Sequence, residues 1–449
     1  MRAFKAYDIR GVWGSDLNEE TAYRIGYFLP DILKADTFLV GRDMRLSSDT
    51  VFARLTKGLN DRGADVDSIG LSTTPLIYWA TARFGYEASV MITASHNPSN
   101  HNGFKISGKD AKPIGYDTGL NDLEKLVESD AGTPVAKRRG ITKEINIHRQ
   151  YLDFQRQFID DFTDLRIGID CSNGASCLFI KELLGDTPHY INDVLDGSFP
   201  GHEPNPLEAV NQVQIKETVL ENRCDIGLLF DGDADRITFI DERGHFISPD
   251  LIIAFLGHYF FGEKNQKGIV LQDIRSSRAI QEHLGALYGT EVETWRVGRA
   301  YAALRLRELD GCFGGELAGH YYFRDFYYSD SGIMAALLVL RLLARFKSEG
   351  KTMSQIINEI SSYQNSGEIN FTIERKQEAM DAVRDHFMSI EKPARFLDFD
   401  GYRLDYQDWW LNIRPSNTEP YLRFLTEAKS KEKLQNIIGE VTEIVSRYR

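Results

Sequence analysis

Cysteine is scarce in this chain. Its 449 residues include four cysteines, and no two of them are spaced as a CxxC pair. So few cysteines in so long a chain exclude a disulfide framework, and their spacing argues against a cysteine-based zinc site. We therefore expect buried thiols in a protein from a reducing compartment, at Cys171, Cys177, Cys224 and Cys312.

Long apolar runs are also lacking. The two most apolar stretches, residues 251–261 and 333–343, are shorter than the roughly 20 residues that span a bilayer. The second also contains Arg341. The first ten residues contain no apolar run of signal-peptide length. These features predict two core helices, no membrane partner and a cytoplasmic location.

Positive charge is in deficit. Lysine and arginine number 53 against 66 aspartates and glutamates, which gives a formal net charge of -13. Non-specific nucleic-acid binding depends on basic side chains that neutralise phosphates, so the balance argues against a nucleic-acid partner. A local basic pocket can still bind a small phosphorylated substrate. Contents of 42% hydrophobic and 27% charged residues are ordinary for a globular protein, and the length suggests about three domains.

The informative part of the chain is a set of four short polar motifs. They are TASHNP (residues 93–98), DGDADR (231–236), GELAGH (315–320) and RPSNT (414–418). Their chemistry suits, in order, a hydroxyl nucleophile, a carboxylate metal site, a sugar clamp and a phosphate clamp. Each gap between them is about one domain long. We therefore predict one active site assembled from four domains.

The first motif offers Ser95 as a nucleophile. It follows the apolar strand predicted at residues 88–92, and Asn97-Pro98 breaks regular structure, so we expect Ser95 to be exposed at a strand end. No GxSxG elbow is present, which argues against a hydrolase-type serine. A turn serine is the alternative for this motif alone. Together with the other three motifs, it predicts that Ser95 is the reacting residue.

The second motif places three aspartates, Asp231, Asp233 and Asp235, after an apolar run. Close carboxylates repel unless a cation holds them, and hard oxygen ligands suit magnesium or calcium. An EF-hand fits part of the spacing, since Glu242 falls at its twelfth position. However, Arg236 stands where the EF-hand requires glycine, and the flanking residues favour strands rather than helices. We therefore predict a magnesium loop.

A charge count makes a further demand on this site. A phosphate group brings a charge of about -2, and three carboxylates add to it, whereas one divalent cation returns only two positive charges. The remaining negative charge requires basic neighbours. Four residues within or beside the motifs could provide them: Arg10, His96, Lys105 and Arg236.

The last motif is suited to an anion. Arg414, Ser416, Asn417 and Thr418 combine a guanidinium with two hydroxyls and an amide in a proline-containing turn, and Arg423 follows in the next strand. Backbone N–H groups of such a turn can form an anion-binding nest, to which arginine adds bidentate contacts. An ordinary polar hairpin turn is the alternative. We predict a phosphate clamp.

The third motif is the weakest of the four. Glu316 and His320 flank a loop that contains Gly314, Gly315 and Gly319. A carboxylate can accept hydrogen bonds from neighbouring sugar hydroxyls, and glycines allow close backbone approach. In the company of the other motifs this loop is predicted to bind the sugar.

A weak internal repeat organises the first three-quarters of the chain. Residues 38–43, 167–170 and 269–273 are short apolar strands that end in aspartate and lead into a polar turn and a helix pattern. In two of them an arginine follows the aspartate by two residues, at Arg45 and Arg275. The recurrence predicts three related α/β domains, the alternative being chance similarity of common strand–helix units. From residue 369 onward the pattern is that of a compact α+β domain.

With these four motifs in order, and with the opening FKAYDIRG (residues 4–11), the chain resembles the α-D-phosphohexomutases, in their phosphomannomutase/phosphoglucomutase branch. The resemblance covers essentially the whole chain. It implies an α/β fold of three similar domains with mixed sheets, at residues 1–147, 148–246 and 247–362. A C-terminal α+β domain of the TATA-binding-protein-like type, at residues 363–449, would complete a central cleft.

The resemblance also implies roles for individual residues. Ser95 would be a phosphoserine, and Mg2+ would be bound by its phosphate and by the three aspartates. Lys105 would be the general acid/base, in a catalytic set with His96, Arg10 and Arg236. Substrate would be held by Glu316, through the 3- and 4-hydroxyls of the sugar, and by Tyr7, Arg299, His320, Arg414, Ser416, Asn417, Thr418 and Arg423.

Two residues depart from the family pattern. Ala318 stands where the sugar loop usually has serine, and Arg299 stands where some relatives have histidine. Both positions concern sugar preference more than the phosphoryl chemistry. They leave the choice between glucose and mannose open.

The implied reaction interconverts hexose 6-phosphate and hexose 1-phosphate. Glucose or mannose 1,6-bisphosphate would be its intermediate and activator, small phosphosugars its only partners, and the protein a monomer or homodimer. Phosphoglucosamine mutase is an alternative, although that branch usually opens with a Phe-Gly-Thr-Asp-Gly type run. A phosphohydrolase and a non-catalytic sugar-phosphate sensor are alternatives of other classes.

Overall fold

Alternating strands and helices build four sheets in a computed structural model of the chain, which describes residues 1–416 and 421–448. Two predicted clamp residues, Asn417 and Thr418, lie outside this described part. Within it, no helix combines the length and the apolar character needed to cross a bilayer.

The first sheet has six strands and is followed along the chain by a second sheet of five. The first contains β1 (Ile9–Val12), β2 (Thr37–Arg42), β3 (Asp65–Leu71), β4 (Ala88–Ile92), β5 (His101–Gly108) and β6 (Thr142–Glu144), with helices α1 (Glu19–Leu33), α2 (Ser48–Arg62), α3 (Thr74–Phe84) and α4 (Leu120–Glu128). The second contains β7 (Ile167–Asp170), β8 (His189–Ile191), β9 (Ile226–Phe230), β10 (Ile237–Asp241) and β11 (Phe246–Ile247), with α5 (His148–Gln155), α6 (Ile180–Leu184) and α7 (Val213–Glu221).

The third sheet again has five strands. It contains β12 (Val270–Asp273), β13 (Val292–Trp295), β14 (Phe313–Gly315), β15 (Tyr321–Phe323) and β16 (Ser329–Asp330). Its helices are α8 (Pro249–Gly257), α9 (Ala279–Tyr288), α10 (Arg299–Glu308), α11 (Gly332–Ser348) and α12 (Met353–Ile360).

These three sheets share one strand arrangement. In each, a central strand (β4, β9 or β14) pairs antiparallel with β5, β10 or β15 and parallel with β2, β7 or β12. The parallel neighbours are the strands that lead into Asp43, Asp170 and Asp273. The predicted repeat of three related α/β domains is therefore confirmed. Because parallel strands end at the same edge of a sheet, the polar turns of each domain collect at that edge.

The fourth sheet is antiparallel and is covered by two helices. It contains β17 (Gln364–Asn365), β18 (Ile369–Thr372), β19 (Arg395–Leu397), β20 (Tyr402–Asp405), β21 (Trp409–Pro415) and β22 (Tyr421–Ala428), with α13 (Lys376–Ile390) and α14 (Lys431–Ser446). The sequence predicted this α+β domain from residue 369 onward. It did not predict β17 and β19, which are edge strands of two and three residues.

The apolar stretches form buried helices, as predicted. Helix α11 begins at a Ser331 cap whose hydroxyl accepts a hydrogen bond from the backbone N–H of Met334 at 3.1 Å, and its apolar residues pack in the largest core. Helix α8 begins with Pro249 and continues into a π-helical turn at His258–Glu263. The two stretches are therefore core helices.

The four cysteines, all within the described residues, are free thiols. Cys171, Cys224 and Cys312 are buried, but Cys177 is only half-buried, so the prediction of burial is wrong for that residue. It lies on a short 3₁₀ turn (Ala175–Leu178).

Candidate active site

The loop that contains Ser95 is tightly constrained. Ser95 has a positive φ of 52°, in the left-handed region that non-glycine residues seldom occupy. Its backbone N–H donates to Thr93 Oγ1 at 2.8 Å. The loop therefore turns sharply after β4 and directs the serine toward the second domain.

Arg45 stabilises this loop from beneath. Its Nη1 donates to the carbonyl of Pro98 at 2.6 Å, and its Nη2 donates to the carbonyls of Ser95 at 2.7 Å and Asn97 at 2.6 Å. The arginine is buried and is paired with Asp43 at 3.1 Å. We did not predict this role, although the repeated Asp-x-Arg turn after the strand was a signal for it.

Ser95 is buried and not, as predicted, exposed at a strand end. Only 1% of it is accessible, and its Oγ donates to Asp231 Oδ2 at 2.9 Å. The cause is tertiary, because the aspartate loop of the second domain packs against the serine loop. Gly232 permits this approach, since a Cβ there would lie 2.5 Å from the carbonyl oxygen of Ser95.

The three aspartates of the second motif follow β9 and are fully buried. Asp231, Asp233 and Asp235 bring carboxylate oxygens within 4.8 Å of one another. Lys105 on β5 contacts two of them, with its Nζ 2.7 Å from Asp233 Oδ2 and in a shorter ion pair with Asp235. Thr74 donates a further hydrogen bond to Asp233 Oδ2 at 2.5 Å.

This carboxylate cluster fits a divalent metal ion. The Oδ1 atoms of Asp233 and Asp235 are buried and have no hydrogen-bond partner among residues 1–416 and 421–448. Burial, and then the charges of Asp233 and Asp235, raises the pKa of Asp231 well above its usual value. Unsatisfied acceptors and mutually repelling carboxylates are the features that a hard cation relieves.

Lys105 and Asp235 hold each other in charged form. Burial alone would lower the pKa of Lys105, but Asp233 and Asp235 outweigh it and raise that pKa. Burial likewise opposes ionisation of Asp235, yet Lys105 lowers its pKa below the usual value. An ammonium group is therefore fixed beside the carboxylate cluster.

Arg10 and His96, two of the residues predicted to supply positive charge, differ in their protonation. Arg10 lies at the cleft, with its Nη1 donating to Asn97 Oδ1 at 2.8 Å. His96 Nδ1 lies 3.3 Å from Ser95 Oγ, but burial, followed by the charges of Arg236 and Arg10, lowers the pKa of His96 well below its usual value. His96 is therefore neutral near pH 7, and the prediction that it supplies positive charge is wrong.

The sugar-type motif joins β14 to β15. Glu316 is buried, its Oε1 accepts from Tyr322 Oη at 2.6 Å and its Oε2 accepts from the N–H of Gly298 at 3.2 Å. Chiefly burial raises the pKa of Glu316. His320 lies at the end of the same loop and lines the cleft with Glu316. The Glu316 carboxylate is thus placed where a polar ligand can reach it.

Tyr7 and Tyr78 of the first domain contact the segment of the third domain that contains Arg299. Tyr7 Oη donates to the carbonyl of Val297 at 3.1 Å. Gly298 between Val297 and Arg299 has a φ of 119°, and a Cβ there would lie 2.6 Å from the Tyr7 ring. The Arg299 guanidinium stacks over the ring of Tyr78 at 3.5 Å. The loop after β13 is therefore fixed against the first domain.

The fourth domain contributes arginines from two paired strands. Arg414 on β21 lies opposite Arg423 on β22, and both line the cleft with Ser416. The Nε atom of Arg414 is 3.3 Å from Asp400 Oδ1, and Arg423 Nη1 donates to Glu368 Oε1 at 2.8 Å. The carboxylate partners hold these guanidiniums in place at the cleft wall.

A cleft of about 1800 Å³ joins these groups. The predicted site residues that line it come from all four domains: Tyr7, Arg10, His96, Lys105, Asp235, Arg236, Arg299, Glu316, His320, Arg414, Ser416 and Arg423. Ser95, Asp231 and Asp233 lie beneath this lining. The structure therefore brings together the described residues of all four motifs.

Several residues at the site had not been predicted. Arg275 repeats the geometry of Arg45, with its Nη2 2.7 Å from Asp273 Oδ2, and the repeated Asp-x-Arg turn was again the available signal. Thr74 and Asp330 contact site residues from distant segments, and no local pattern marks them. Only the folded chain reveals these two.

Four segments of the chain match the descriptions of a single protein family. The "Phosphoglucomutase/phosphomannomutase, alpha/beta/alpha domain I" description matches residues 1–132, and those of domains II and III match residues 149–244 and 248–363. The C-terminal domain of the same family matches residues 368–444.

Relatives match over nearly the entire length. The phosphomannomutase of Escherichia coli (strain K12) is 37% identical over 442 residues, which are 96% of this chain and 95% of that protein. The phosphomannomutase of Methanocaldococcus jannaschii is 32% identical over 463 aligned residues, which cover 100% of this chain and 98% of that protein. A crystal structure of a phosphoglucomutase/phosphomannomutase family protein from Burkholderia thailandensis matches with a TM-score of 0.89 at 26% identity. The match covers 100% of this chain and 97% of that protein.

Proposed function

Because the chain belongs to the phosphoglucomutase/phosphomannomutase family and is a hexose phosphate mutase, we propose that Ser95 is the residue that carries the phosphoryl group. The supporting observation is the contact of Ser95 Oγ with Asp231 at 2.9 Å, beneath a cleft shared by four domains. A hydroxyl beside a metal-type carboxylate cluster is suited to exchanging a phosphoryl group, whose transfer depends on positioning and electrostatics.

The proposed cycle has two balanced transfers. In the first, a hydroxyl oxygen of the hexose phosphate bonds to the phosphorus of phosphorylated Ser95, the bond from phosphorus to Oγ breaks, and the hydroxyl proton leaves to a base. The product is a hexose 1,6-bisphosphate, which turns within the cleft. In the second, Ser95 Oγ bonds to the other phosphorus, the bond from that phosphorus to the sugar oxygen breaks, and the departing sugar oxygen takes up a proton.

Lys105 is the proposed proton carrier for these steps. Its Nζ lies within 2.7 Å of Asp233, is paired with Asp235, and lines the cleft where a sugar hydroxyl would enter. Its acidic neighbours favour the ammonium, which can protonate the departing sugar oxygen, and the amine left by that step can accept the hydroxyl proton of the next transfer. The guanidiniums of Arg10 and Arg236 stabilise the transferring phosphoryl oxygens.

Mg2+ is the proposed metal, with Asp231, Asp233 and Asp235 as its protein ligands. When bound, the ion would neutralise negative charge on the phosphoryl group in transfer. The unsatisfied Oδ1 atoms of Asp233 and Asp235 support this assignment.

The two clamps would hold the ends of the substrate that do not react. Glu316 would accept hydrogen bonds from the 3- and 4-hydroxyls of the sugar, and Arg414, Ser416 and Arg423 would bind the remote phosphate. Asn417 and Thr418 complete the predicted clamp. Because the bisphosphate must reorient in the cleft between the two transfers, the same clamp must accept either of its phosphates.

The proposed substrates are mannose and glucose phosphates. The curated relatives named above are phosphomannomutases, which favours this class over phosphoglucosamine. Glu316 would read hydroxyls that glucose and mannose share, so dual use is expected. The proposal also includes a cytoplasmic enzyme with phosphosugars as its only partners, as a monomer or homodimer.

A comparison of substrates tests this assignment directly. Conversion of glucose 1-phosphate, mannose 1-phosphate and glucosamine 1-phosphate should be measured in coupled assays with catalytic 1,6-bisphosphate. We expect the first two to be converted faster than glucosamine phosphate, because the relatives named above are phosphomannomutases. The Glu316 contacts alone would not discriminate, since glucosamine has the same 3- and 4-hydroxyls. Preference for glucosamine phosphate would overturn the substrate assignment.

A further inference from the structure

A buried aspartate outside the four motifs connects two of the cleft residues. Asp330 lies at the end of β16 and is fully buried. Its Oδ2 is 2.6 Å from His320 Nδ1, and its Oδ1 accepts from Arg299 Nε at 3.1 Å. His320 and Arg299 both line the cleft, whereas Asp330 stands behind them.

The contacts of His320 determine its protonation. Arg236 Nε donates to His320 Nε2 at 2.9 Å. A guanidinium has donors only, so Nε2 must present a lone pair and cannot carry hydrogen. The hydrogen of the neutral ring therefore lies on Nδ1 and is donated to Asp330. The result is a directed chain from Arg236 through His320 to Asp330.

A metal site does not explain this cluster. Asp235, His320 and Asp330 have ligand atoms within 4.8 Å of one another. However, both nitrogens of His320 are engaged with Arg236 and Asp330, and the two oxygens of Asp330 are engaged with His320 and Arg299. Two neighbouring guanidiniums also disfavour a second cation. The geometry is that of a hydrogen-bonded chain.

Arg299 is the second arm of this arrangement. Asp330 holds its Nε, and Tyr78 from the first domain supports its planar face. Its Nη2 is buried and has no hydrogen-bond partner within the described part of the chain. Because Arg299 lines the cleft, an oxygen of a bound phosphosugar could accept the hydrogen bond that its Nη2 has available.

We propose that Asp330 is a positioning residue that orients two guanidiniums toward the cleft: Arg236 of the second domain through the tautomer of His320, and Arg299 of the third domain directly. This inference rests on the proposed function of the cleft as the phosphosugar site. Without the carboxylate, the ring of His320 can place its hydrogen on Nε2. That hydrogen would point at the N–H of Arg236. Arg236 would then lose its hydrogen-bond acceptor, in addition to the loss of the Asp330 contact by Arg299.

The tautomer can be measured without substrate. Full-length protein labelled with ¹⁵N-histidine should show, for His320, a protonated Nδ1 and an unprotonated Nε2, with the signal assigned by its loss in His320→Asn. Asp330→Ala should remove this signature, whereas Asp325→Asn, an exposed aspartate of the same domain, should retain it. A wild-type His320 protonated at Nε2 would overturn the inference, as would an unchanged signature in Asp330→Ala.

Kinetics supply the second readout. Asp330→Ala should lower kcat/KM by about 10–100-fold, as expected when a group that orients active-site residues is removed. Asp330→Asn, which keeps the shape and one acceptor, should fall between Asp330→Ala and wild type and covers the case in which the alanine variant does not fold. Asp325→Asn should remain at the wild-type rate.

A double-mutant cycle between Asp330 and Arg299 distinguishes a positioning role of Asp330 from a general effect on the fold. The loss in an Asp330→Ala/Arg299→Ala double variant should be smaller than the product of the two single losses, because Asp330 acts through Arg299. Multiplicative losses, or normal kcat/KM in Asp330→Asn and Asp330→Ala, would contradict the inference. If wild-type protein converts no hexose phosphate, the proposed function fails, and the ¹⁵N signature still decides whether Asp330 fixes His320.

Discussion

At the level of single residues, the burial of Ser95 bears on how a phosphoenzyme could survive. Its Oγ lies 3.3 Å from His96 Nδ1 and 2.9 Å from Asp231 Oδ2, and the residue is buried rather than exposed at a strand end. A phosphoryl group there would be reached through the cleft and not directly from bulk water. Exclusion of water is one way for an active site to prevent hydrolysis of a reactive intermediate.

Replacing Ser95 by alanine should lower mutase activity by at least about 10³-fold, because the proposed carrier oxygen is removed. The coupled assay provides the rate, and peptide mass spectrometry of purified wild-type protein should find phosphate on the peptide that contains Ser95. Ser129→Ala, an exposed serine of the same domain, is the control and should retain activity. Near-wild-type turnover in Ser95→Ala would show that another group carries the phosphoryl.

Replacing Asp233 by asparagine should weaken the metal site, since one ligand charge is lost from a cluster whose affinity depends on charge. We expect activity to fall by roughly 10–100-fold at moderate Mg2+ and to recover only in part at high Mg2+. The measurement is a Mg2+ titration of the rate. Asp186→Asn, an exposed aspartate of the second domain, should titrate like wild type.

Removal of metal from wild-type protein tests the same assignment independently. Protein treated with a chelator and then freed of it should be inactive until Mg2+ is added. If the treated protein works as well as untreated protein without added metal, Asp231, Asp233 and Asp235 do not form the required metal site.

At the level of elements, strand β22 joins the fourth domain to the third through a buried acid. Glu427 Oε2 accepts from Ser277 Oγ of the third domain at 2.6 Å and from Trp410 Nε1 on β21 at 2.8 Å, while Oε1 accepts from Asn365 Nδ2 at 2.9 Å. Burial, with the charge of Asp250 second, raises the pKa of Glu427 from 4.5 to about 7. This strand is therefore the place where pH should affect the contact between the two domains.

The direction of the pH effect follows from proton linkage. Between pH 4.5 and about 7, folded Glu427 holds a proton that the unfolded chain has released. Folding stability therefore falls as pH rises through this range, by at most about 3 kcal/mol, and is constant above it. Glu427→Gln cannot ionise and should lack this dependence.

Scanning calorimetry of Glu427→Gln and wild type from pH 5 to pH 8 measures this difference. The Tm of Glu427→Gln minus the Tm of wild type should increase from pH 5 to pH 8, whatever this difference is at pH 5. Glu432→Gln, an exposed glutamate on α14, should show a constant difference. A Tm difference for Glu427→Gln that does not change with pH would contradict a raised pKa at this strand.

At the level of the whole molecule, the cleft is larger than a single bound sugar needs. Its volume of about 1800 Å³ exceeds the roughly 300–1,000 Å³ of ordinary ligand pockets. The fourth domain contributes Arg414, Ser416 and Arg423 to one wall. Closure of that domain would bring the two clamps onto one ligand, as in hinge motions around bound substrates.

Replacing Arg414 by alanine should weaken substrate binding in both directions of the reaction, because the clamp must accept either phosphate. The expected cost is about 2–5 kcal/mol, the range for removing one partner of a buried charge pair. The measurement is kcat/KM from the 1-phosphate and from the 6-phosphate. Arg447→Ala, an exposed arginine of the same domain, is the control, and damage confined to one direction would contradict a shared clamp.

Binding of a 1,6-bisphosphate should make the protein more compact, since the fourth domain would move inward. Small-angle scattering should show a smaller radius of gyration with the bisphosphate than without it. Glucose without phosphate should leave the dimensions unchanged, and so should the bisphosphate with Arg414→Ala. Equal dimensions of free and bound wild-type protein would count against closure.

Local sequence determined much of this protein. Apolar stretches that end in aspartate predicted β2, β7 and β12, and the three related domains follow from their recurrence. Four short motifs predicted which residues meet, because strand ends of α/β domains collect at one edge of each sheet. The edge strands β17 and β19 were missed, since two or three residues contain no periodicity. The domain boundaries and the roles of the site residues remain predictions.

Only the tertiary structure decided the state of the site residues. Ser95 is buried because a loop from another domain covers it, and His96 is neutral because burial and two arginines disfavour its charged form. Asp330 acquires its contacts with His320 and Arg299 only when β16 packs behind the cleft. Burial and charge depend on neighbours that are remote in sequence, so local patterns predicted which residues form the site, and packing between domains set their protonation and orientation.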